Sequence, residues 1–425
     1  MNTELVVEKI QSGELDSRLL DIYVDDKLLA YQRDRYVATV NKFMTLYGSG
    51  EVKIFSAPGR SEVGGNHTDH QHGKVLAASI NLDCIGVVRE THDNVIRLVS
   101  DESEEIVISL DDILFREEEK GTSIALIKGV VAGFLNRRYK VGGFSAYVTS
   151  DVLIGAGLSS SAAFETLIGS ILSGLYNDML VSNIEIAIIG QYAENVYFGK
   201  PCGLMDQMAC SVGNLVYIDF EDPSQPLVEK VQFDMEQYCY SLCITDTKGS
   251  HADLTEEYAA VPKEMKQVAK YFGKEVLRGI TAQNILKNMK DLRYSFGDRS
   301  VLRALHFVTE NERVTQEVEA LKNGDFVQFL RFVKASGDSS YKYLQNVYSN
   351  ADVNSQNVSI ALAVSDVVLG RNGVSRVHGG GFAGTIQAFV KNDSVNEYKE
   401  SMDMTFGKGS CRELRIRKYG GIQVI

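Results

Sequence analysis

The chain has 425 residues, of which 44% are hydrophobic, with 37 glycines, 5 prolines and no tryptophan. This length exceeds one typical hydrophobic core, so we expect two domains. The formal net charge of -12 argues against general affinity for nucleic acid or anionic membranes, because those surfaces bind clustered Lys and Arg. The negative charge of a phosphorylated substrate would therefore have to be neutralised locally, by backbone N–H groups, a metal ion or a few basic residues at the site.

The N-terminus, MNTELVVEKIQSGELDSRLL, mixes acidic and basic residues and lacks the apolar segment of a signal peptide. The longest apolar runs elsewhere are too short or too interrupted to cross a bilayer. The 6 cysteines are spread thinly, unlike those of a disulfide-stabilised protein. We therefore expect a soluble, cytoplasmic protein with reduced thiols.

Residues 1–48 are predicted to be helical, because apolar residues in RYVATVNKFMTLYG recur three and four positions apart and Gly48 follows as a stop signal. VKIFSAPG predicts the first strand, and short β-rich runs alternate with turn residues up to about residue 100. The 30 or so residues at the start of the chain suggest no functional role.

The rest of the chain alternates helices and strands. GGFSAYVTSDVL, GNLVYIDF and QYCYSLCITD predict strands, and SSSAAFETLIGSILSGLY and IEIAIIGQYAENVYFG predict helices. In QYCYSLCITD, the spacing of Cys239 and Cys243 predicts both thiols on one face, packed in the core. The mixture indicates an α+β fold, with an N-terminal domain of residues 1–220 and a C-terminal domain of residues 221–425.

The segment GRSEVGGNHTDHQHG, residues 59–73, places three histidines around Asp69: His67, His70 and His72. Such a group suggests a zinc site, although catalytic zinc needs ligands that converge tetrahedrally. Arg60 stands seven residues before the first histidine. The residues alone leave open whether this is a metal site.

A second segment, DVLIGAGLSSSAAFE, covers residues 151–165. A predicted strand ends, a glycine-rich turn follows, and three serines stand where a helix begins. The unpaired N–H groups and positive dipole end of such a helix attract anions, and the glycines let a phosphate approach. The segment lacks the Walker A ending and the dinucleotide G-x-G-x-x-G spacing. It predicts either a phosphate site or an ordinary serine-rich helix cap.

RVHGGGFAGTIQAFV, residues 376–390, has three consecutive glycines, which imply positive φ or close backbone approach, as in a hairpin turn. Between these segments lies AENVYFGKPCGLMDQMACSVGN, with Glu194 and Asp206 in a mostly apolar neighbourhood. Burying a carboxylate is costly unless it is paired, bound to metal or catalytic. Both acids are therefore candidate functional groups.

In this order, the segments resemble the motifs of the GHMP kinases, and most closely those of the galactokinases. SAPGRxExxGxHTDxxxGxVL (residues 56–76, the first motif) is similar to the galactokinase signature, and GAGLSSSAA (155–163, the serine motif) to the nucleotide-phosphate motif. CGLMDQ (202–207, the aspartate motif) is similar to the segment with the catalytic aspartate, and GGGFAG (379–384, the glycine motif) to the third motif. The resemblance implies a two-domain fold with the active site in the cleft between the domains, and ATP-dependent phosphorylation of a sugar.

The resemblance also implies roles for individual residues. Asp206 would be the catalytic base, with Arg60 beside it keeping its pKa low. Ser161 and Glu194 would help hold Mg²⁺, so ATP and Mg²⁺ are the implied cofactors. The implied sugar-binding residues, which favour a sugar over zinc at the first motif, are Asn66, His67, Asp69, Gly203 and Tyr258. The implied ATP-binding residues are Gly155, Ala156, Gly157, Leu158, Ser159, Ser160, Ser161 and Ala162.

The first motif departs from the family pattern at two positions. Galactokinases usually read Gly-Glu-His-Thr-Asp-Tyr where this chain reads Gly-Asn-His-Thr-Asp-His. Asn66 thus replaces the glutamate that accepts a hydrogen bond from the C6 end of galactose, and His70 replaces the tyrosine. A neutral amide tolerates a carboxylate at C6, which a glutamate would repel. Galactose is the expected sugar, and galacturonate or another sugar that varies at C6 is the alternative.

A third hypothesis is a non-catalytic sensor that binds ATP and galactose. Such relatives typically lose part of the Ser-Ser-Ala segment, which is intact here from Ser160 to Ala163, so catalysis is favoured. The expected partners are a small sugar and ATP, with no nucleic acid and no membrane. The sequence contains no signal for oligomerisation, and we expect a monomer.

Overall fold

Three helices open the chain and form an outer layer in the computed structural model, which describes residues 1–101, 103–152, 158–250, 254–350 and 352–425. They are α1 (Thr3–Gln11), α2 (Asp16–Tyr23) and α3 (Leu29–Tyr47). Helix α3 ends where Gly48 has a φ of 75°, as predicted for this glycine. None of the helices in these ranges is both long and apolar enough to cross a membrane.

The first sheet has eight strands. They are β1 (Lys53–Gly64), β2 (Lys74–Glu90), β3 (Val95–Ser100), β4 (Ile106–Ser109), β5 (Phe144–Ser150), β6 (Leu215–Asp219), β7 (Leu227–Val231) and β12 (Ile422–Gln423). The order is β12-β1-β2-β5-β3-β4, with β6 paired to β2 and β7 to β6. β3 and β5 are parallel, and the other pairs are antiparallel. Helices α1 to α3 cover one face, where Val40 and Phe43 pack with Ile54 and Ile85.

The opposite face is covered by helices from the middle of the chain. They are α4 (Ser123–Asn136), α5 (Ser160–Tyr176) and α6 (Asn183–Tyr192), with α7 (Met205–Val212) beside them. Ile171 and Ile189 pack there against Phe55 and Val148, and this apolar face explains why the serine-rich segment forms a helix. The second predicted helix, IEIAIIGQYAENVYFG, has two parts in the structure. They are α6 and a π-helix that continues it over Ala193–Phe198.

The second sheet is antiparallel, in the order β11-β8-β10-β9. Its strands are β8 (Tyr240–Asp246), β9 (Gly373–His378), β10 (Thr385–Lys391) and β11 (Cys411–Leu414). The helices around it are α8 (Thr255–Tyr271), α9 (Ala282–Lys287), α10 (Met289–Phe296), α11 (Asp298–Lys322), α12 (Phe326–Ser339), α13 (Asn357–Leu369) and α14 (Val395–Phe406). A second π-helix, Ser340–Leu344, follows α12, and the glycine motif forms the turn between β9 and β10.

The prediction that Cys239 and Cys243 share a face was wrong. Strand β8 begins one residue after Cys239, which is exposed and has a φ of 56°. Cys243 is buried in the core. All 6 cysteines lie in the described ranges and are free thiols.

The two sheets share one core. Leu76 of β2 lies in the same hydrophobic cluster as Leu242 of β8, Phe329 of α12 and Phe389 of β10. Strands β7 and β12 pair within the first sheet although they follow residue 220 in sequence. A boundary near residue 220 stays a proposal, and it would leave these two strands with the N-terminal domain.

Asp83 of β2 connects the N-terminal helices to the C-terminal segment. Its fully buried carboxylate accepts hydrogen bonds from Tyr23 at 2.8 Å, Arg35 at 2.7 Å and Arg417 at 2.9 Å. Burial acts to raise the pKa of Asp83, but the positive charges of the two arginines outweigh it and hold the pKa below its usual range. The first residues of the chain therefore have a structural role that the sequence did not reveal.

We expect Asp83→Asn to lower the free energy of unfolding by about 3–5 kcal/mol, because it leaves two buried guanidinium groups without their counter-charge. Urea unfolding near neutral pH measures this loss. Because the folded-state pKa is lowered, the contribution of Asp83 disappears as the pH falls through that value, so the difference between the proteins should shrink in acid. The control Asp93→Asn, at an exposed pair with Arg97, should leave the unfolding midpoint nearly unchanged. A loss under about 1 kcal/mol for Asp83→Asn would contradict this role.

Candidate active site

Strand β1 carries the first motif and lies against the end of the serine motif. The N–H group of Arg60 donates to the carbonyl oxygen of Leu158 at 3.2 Å. A Cβ atom at Gly59 would come within 2.9 Å of the same oxygen, so this approach requires glycine. The pairing of β1 with β2 shifts register between Pro58 and Arg60, and such irregularities redirect side chains next to functional sites.

Arg60 and Asp206 form a bidentate ion pair at the start of α7. Nε and Nη2 of Arg60 donate to the two carboxylate oxygens at 2.7 and 2.9 Å. The side chains are 7% and 30% exposed, respectively, so a ligand can reach the carboxylate. Burial acts to raise the pKa of Asp206, but the charge and hydrogen bonds of Arg60, with a hydrogen bond from Ser159, hold it below its usual range. Asp206 is therefore an ionised proton acceptor at neutral pH.

Helix α5 begins beside this pair. Ser159 precedes the helix with a φ of 57°, and its hydroxyl donates to Asp206 instead of capping the helix. The first N–H groups of an α-helix lack intrahelical partners and attract anions. Of the other predicted phosphate-binding residues, Leu158 and Ala162 are buried, Ser160 and Ser161 begin α5, and Gly155, Ala156 and Gly157 lie outside the described residues.

Ser161 meets Glu194 of the first π-helix. The Ser161 hydroxyl donates to Glu194 Oε1 at 3.1 Å, and the ammonium group of Lys200 lies 3.1 Å from the same oxygen. Nε2 of Gln207 donates to Glu194 Oε2 at 2.6 Å and to Glu165 Oε2 at 3.1 Å. Two buried carboxylates therefore share one amide group.

Glu165 is a buried acid close to Ser161 and Glu194, the two residues predicted to hold Mg²⁺. This residue is 1% exposed, and its Oε1 atom is buried without a hydrogen-bond partner in the described part of the chain. Burial, together with the negative charge of Glu194, raises the pKa of Glu165. The hydroxyl of Ser161 and the carboxylates of Glu194 and Glu165 are the hard oxygen ligands that Mg²⁺ prefers, so these residues fit the metal that the sequence implied.

Asp69 and Gly203 bring the first motif and the aspartate motif together. A Cβ atom at Gly203 would come within 2.0 Å of Asp69 Oδ2, so only glycine fits here without a shift of the carboxylate. The N–H group of His70 holds the other carboxylate oxygen at 2.9 Å. The structure thus places these two predicted sugar-binding residues side by side.

The glycine motif lies over the first motif. Nε2 of His67 donates to the carbonyl oxygen of Gly380 at 3.0 Å, which leaves Nδ1 as an acceptor. Burial lowers the pKa of His67 to about 4, so the ring is neutral at physiological pH. The hydroxyl of Tyr258 donates to the carbonyl oxygen of Gly381 at 2.7 Å, and its ring packs edge-on against Phe382.

Asn66 is fully buried among these groups. Its amide nitrogen donates to Glu62 at 2.9 Å and to the carbonyl oxygen of Gly379 at 2.7 Å. Its amide oxygen accepts from Ser340 at 3.2 Å and Asn346 at 2.8 Å. All four hydrogen-bonding positions of the side chain are used. The predicted contact with a sugar would require Asn66 to break one of these bonds.

Sequence reasoning missed four residues of the site: Glu62, Glu165, Gln207 and Arg376. Glu62 and Gln207 stand inside motifs that we quoted, which was a usable signal. Glu165 follows Ser161 by four residues and so lies on the same face of α5. Arg376 is the first residue of the segment quoted around the glycine motif, but nothing in that segment indicated a partner for it.

Comparisons with known proteins show the family of the chain. The family model described as "GHMP kinases N terminal domain" matches residues 125–214, and "Galactokinase galactose-binding signature" matches residues 41–90. The galactokinase of Haemophilus influenzae (strain PittEE) is 30% identical over 361 residues, which are 82% of this chain and 88% of that protein. The galactokinase of Clostridium tetani is 28% identical over 369 residues, 86% of this chain and 91% of that protein.

Solved structures share the fold. Lactococcus lactis galactokinase complexed with galactose has a TM-score of 0.76 at 24% identity, covering 92% of this chain and 99% of that one. The mevalonate kinase of Methanococcus jannaschii has a TM-score of 0.60 at 17% identity, covering 86% and 99%. With an α+β fold, the ordered motifs and relatives that align over most of its length, this chain belongs to the galactokinase family of the GHMP kinases.

Proposed function

We propose that the protein is an ATP-dependent sugar-1-kinase that transfers the γ-phosphate of ATP to the anomeric hydroxyl of galactose, giving galactose 1-phosphate. The observation that carries this proposal is the bidentate pair of Arg60 and Asp206 at the N-terminus of α5. It combines an ionised acceptor for the sugar proton with positive charge and a helix terminus for phosphate.

In the proposed reaction, the anomeric oxygen bonds to the γ-phosphorus as the bond to the bridging oxygen of ADP breaks. The hydroxyl proton goes to the carboxylate of Asp206. In phosphoryl transfer the protein contributes little covalent chemistry. It positions the two substrates and places positive charge around the transferred phosphoryl group. Arg60 and the first N–H groups of α5 supply that charge.

The kinase family implies ATP as the phosphate donor, and we propose Mg²⁺ as its metal. Ser161 and Glu194 would hold the ion, with Glu165 close to them, because these side chains offer hard oxygen ligands and a buried oxygen that lacks a partner. When bound, Mg²⁺ neutralises charge on the phosphates of ATP. Lys200 lies 3.1 Å from Glu194 and balances the carboxylate in this structure.

We propose that the sugar contacts His67, Asp69, Gly203 and Tyr258. Nδ1 of His67 would accept from a sugar hydroxyl, because Nε2 is already bonded to Gly380. The carboxylate of Asp69 would accept two neighbouring hydroxyls. The match to the galactose-binding signature over residues 41–90 supports galactose over galacturonate.

A panel of galactose, galacturonate, N-acetylgalactosamine, glucose and arabinose tests the substrate. Each sugar is incubated with ATP labelled in the γ-phosphate, and the kcat/KM of phosphate transfer is compared. We expect galactose to be the preferred substrate. Preference for galacturonate would overturn the sugar assignment and leave the kinase assignment intact. Binding of galactose and ATP without transfer would favour the sensor hypothesis.

We expect Asp206→Asn to reduce turnover about a thousandfold, since removal of a positioned general base typically costs a factor of about 10²–10⁴. The amide keeps the shape of the carboxylate but cannot accept the proton, so ATP and galactose should still bind in calorimetric titrations. Asp222→Asn, at an exposed turn, is the matched control. Turnover of Asp206→Asn within threefold of wild type would refute this role.

We expect Glu194→Gln to raise the Mg²⁺ concentration needed for half-maximal activity about tenfold or more, with little change in the KM for galactose. The reason is that loss of one carboxylate ligand weakens binding of a hard cation. Glu185→Gln is the control, because Glu185 pairs with Arg137 at the surface of α6. An unchanged magnesium titration would count against Glu194 as a ligand.

A further inference from the structure

Glu62 and Asn66 stand four residues apart in the first motif, and their side chains meet below the candidate sugar site. Glu62 is 3% exposed and Asn66 is fully buried. Oε1 of Glu62 accepts hydrogen bonds from both Asn66, at 2.9 Å, and Arg376, at 2.7 Å. The amide of Asn66 thus solvates a carboxylate that water cannot reach, which is the condition for keeping such a group inside a protein.

The same two side chains join the first motif to the glycine motif. Arg376 lies on β9 and also donates to the carbonyl oxygen of Val63. The second N–H of Asn66 donates to the carbonyl oxygen of Gly379, the first residue of the glycine motif. One link therefore runs from the first motif to strand β9, and the other runs to the turn between β9 and β10.

Asn66 is also connected to His67 through a series of hydrogen bonds. The amide oxygen of Asn66 accepts from Nδ2 of Asn346 at 2.8 Å, and the same nitrogen lies 3.2 Å from the carbonyl oxygen of Gly380. That carbonyl oxygen also accepts from Nε2 of His67. The orientation of the His67 ring, and so the direction of its free Nδ1, depends on a turn that Asn66 helps to hold.

We infer that Glu62 and Asn66 act as one carboxylate–amide pair that fastens the first motif to the glycine motif, and that Asn66 positions the sugar site without contacting the C6 group. The part of this inference that concerns sugar rests on the proposed function. Galactokinases usually carry a carboxylate at the position of Asn66. In this chain a carboxylate stands instead on Glu62, whose Oε1 atom lies 2.9 Å from the amide nitrogen of Asn66.

The test exchanges the hydrogen-bond donor and the hydrogen-bond acceptor of this pair, with side chains of nearly unchanged size. Asn66→Asp keeps the shape but replaces the N–H donors by an oxygen that faces the carboxylate of Glu62 and the carbonyl oxygen of Gly379. We expect kcat/KM for galactose to fall about 100-fold, comparable to loss of a hydrogen bond to a charged group. The fall should lie mainly in the KM for galactose, while the KM for ATP stays within about threefold.

Adding Glu62→Gln to this variant puts the donor on residue 62 and the acceptor on residue 66. We expect the double variant to recover to within about tenfold of wild type, whereas Glu62→Gln alone should not improve activity. Asn41→Asp, on the exposed face of α3, is the matched control and should change nothing. Absence of recovery in the double variant would overturn the inference.

A second comparison separates positioning from contact with C6. Galactose and 6-deoxygalactose differ only in the C6 hydroxyl, so the ratio of their kcat/KM values reports that contact. We expect the ratio to stay within about threefold between wild type and Asn66→Asp. A tenfold change in the ratio, together with no rescue by Glu62→Gln, would show that Asn66 contacts C6.

The pair is also tested without substrate, through the thermal unfolding midpoints of the wild type, the two single variants and the double variant. We expect the loss of stability in the double variant to be smaller than the sum of the losses in the two single variants, which is the mark of coupled residues. If Asn66→Asp does not fold, recovery of folding by Glu62→Gln supports the pair, and failure of both overturns it. If the stability effects at residues 62 and 66 are coupled but the protein does not phosphorylate galactose, the proposed function is refuted and the Glu62–Asn66 pair is still supported.

Discussion

The ion pair between Arg60 and Asp206 is the contact on which the candidate site depends. It joins strand β1 to helix α7 and fixes the carboxylate of Asp206 next to the N-terminus of α5. A half-buried carboxylate beside a guanidinium group stays ionised, so the same contact that holds two elements together also sets the protonation state that the proposed reaction requires. Structure and chemistry here rest on one interaction.

The same constraint recurs around the site, because each buried acid needs its own partner. Glu62 has Arg376 and Asn66, and Glu194 has Ser161, Lys200 and the shared amide. Glu165 keeps one oxygen without a partner in the described ranges, and it is there that the proposed Mg²⁺ would find an oxygen-rich environment.

Much of the fold was predictable because it depends on local patterns. The stop at Gly48, helix α5 and the β9–β10 hairpin follow from periodicity and glycine placement. The four motifs likewise contain most residues of the candidate site, since each motif is a short contiguous string. The pairings of Glu62 with Arg376 and of Glu165 with Gln207 were not predictable, because they depend on how distant segments pack.

The remaining differences also have physical reasons. The two π-helices were not predicted, because the extra residue in a π-helical turn is not evident from the spacing of apolar residues. The first π-helix carries Glu194, and the second begins with Ser340, whose hydroxyl donates a hydrogen bond to Asn66. Cys239 was misassigned because a strand boundary one residue away changes which side chains enter the core. Strands β7 and β12 return to the first sheet through long-range pairing, which the local pattern does not encode.

The central claim is that the phosphate is transferred to the anomeric oxygen of galactose. NMR of the wild-type protein with [1-¹³C]galactose, ATP and Mg²⁺ tests it most directly, because a phosphate at C1 prevents mutarotation and leaves one anomeric signal of the labelled carbon, split by coupling to phosphorus. We predict that ATP is consumed as one product accumulates with this coupling. A phosphorylated product without coupling at C1, or no product from galactose under conditions where both ligands bind, would contradict the account.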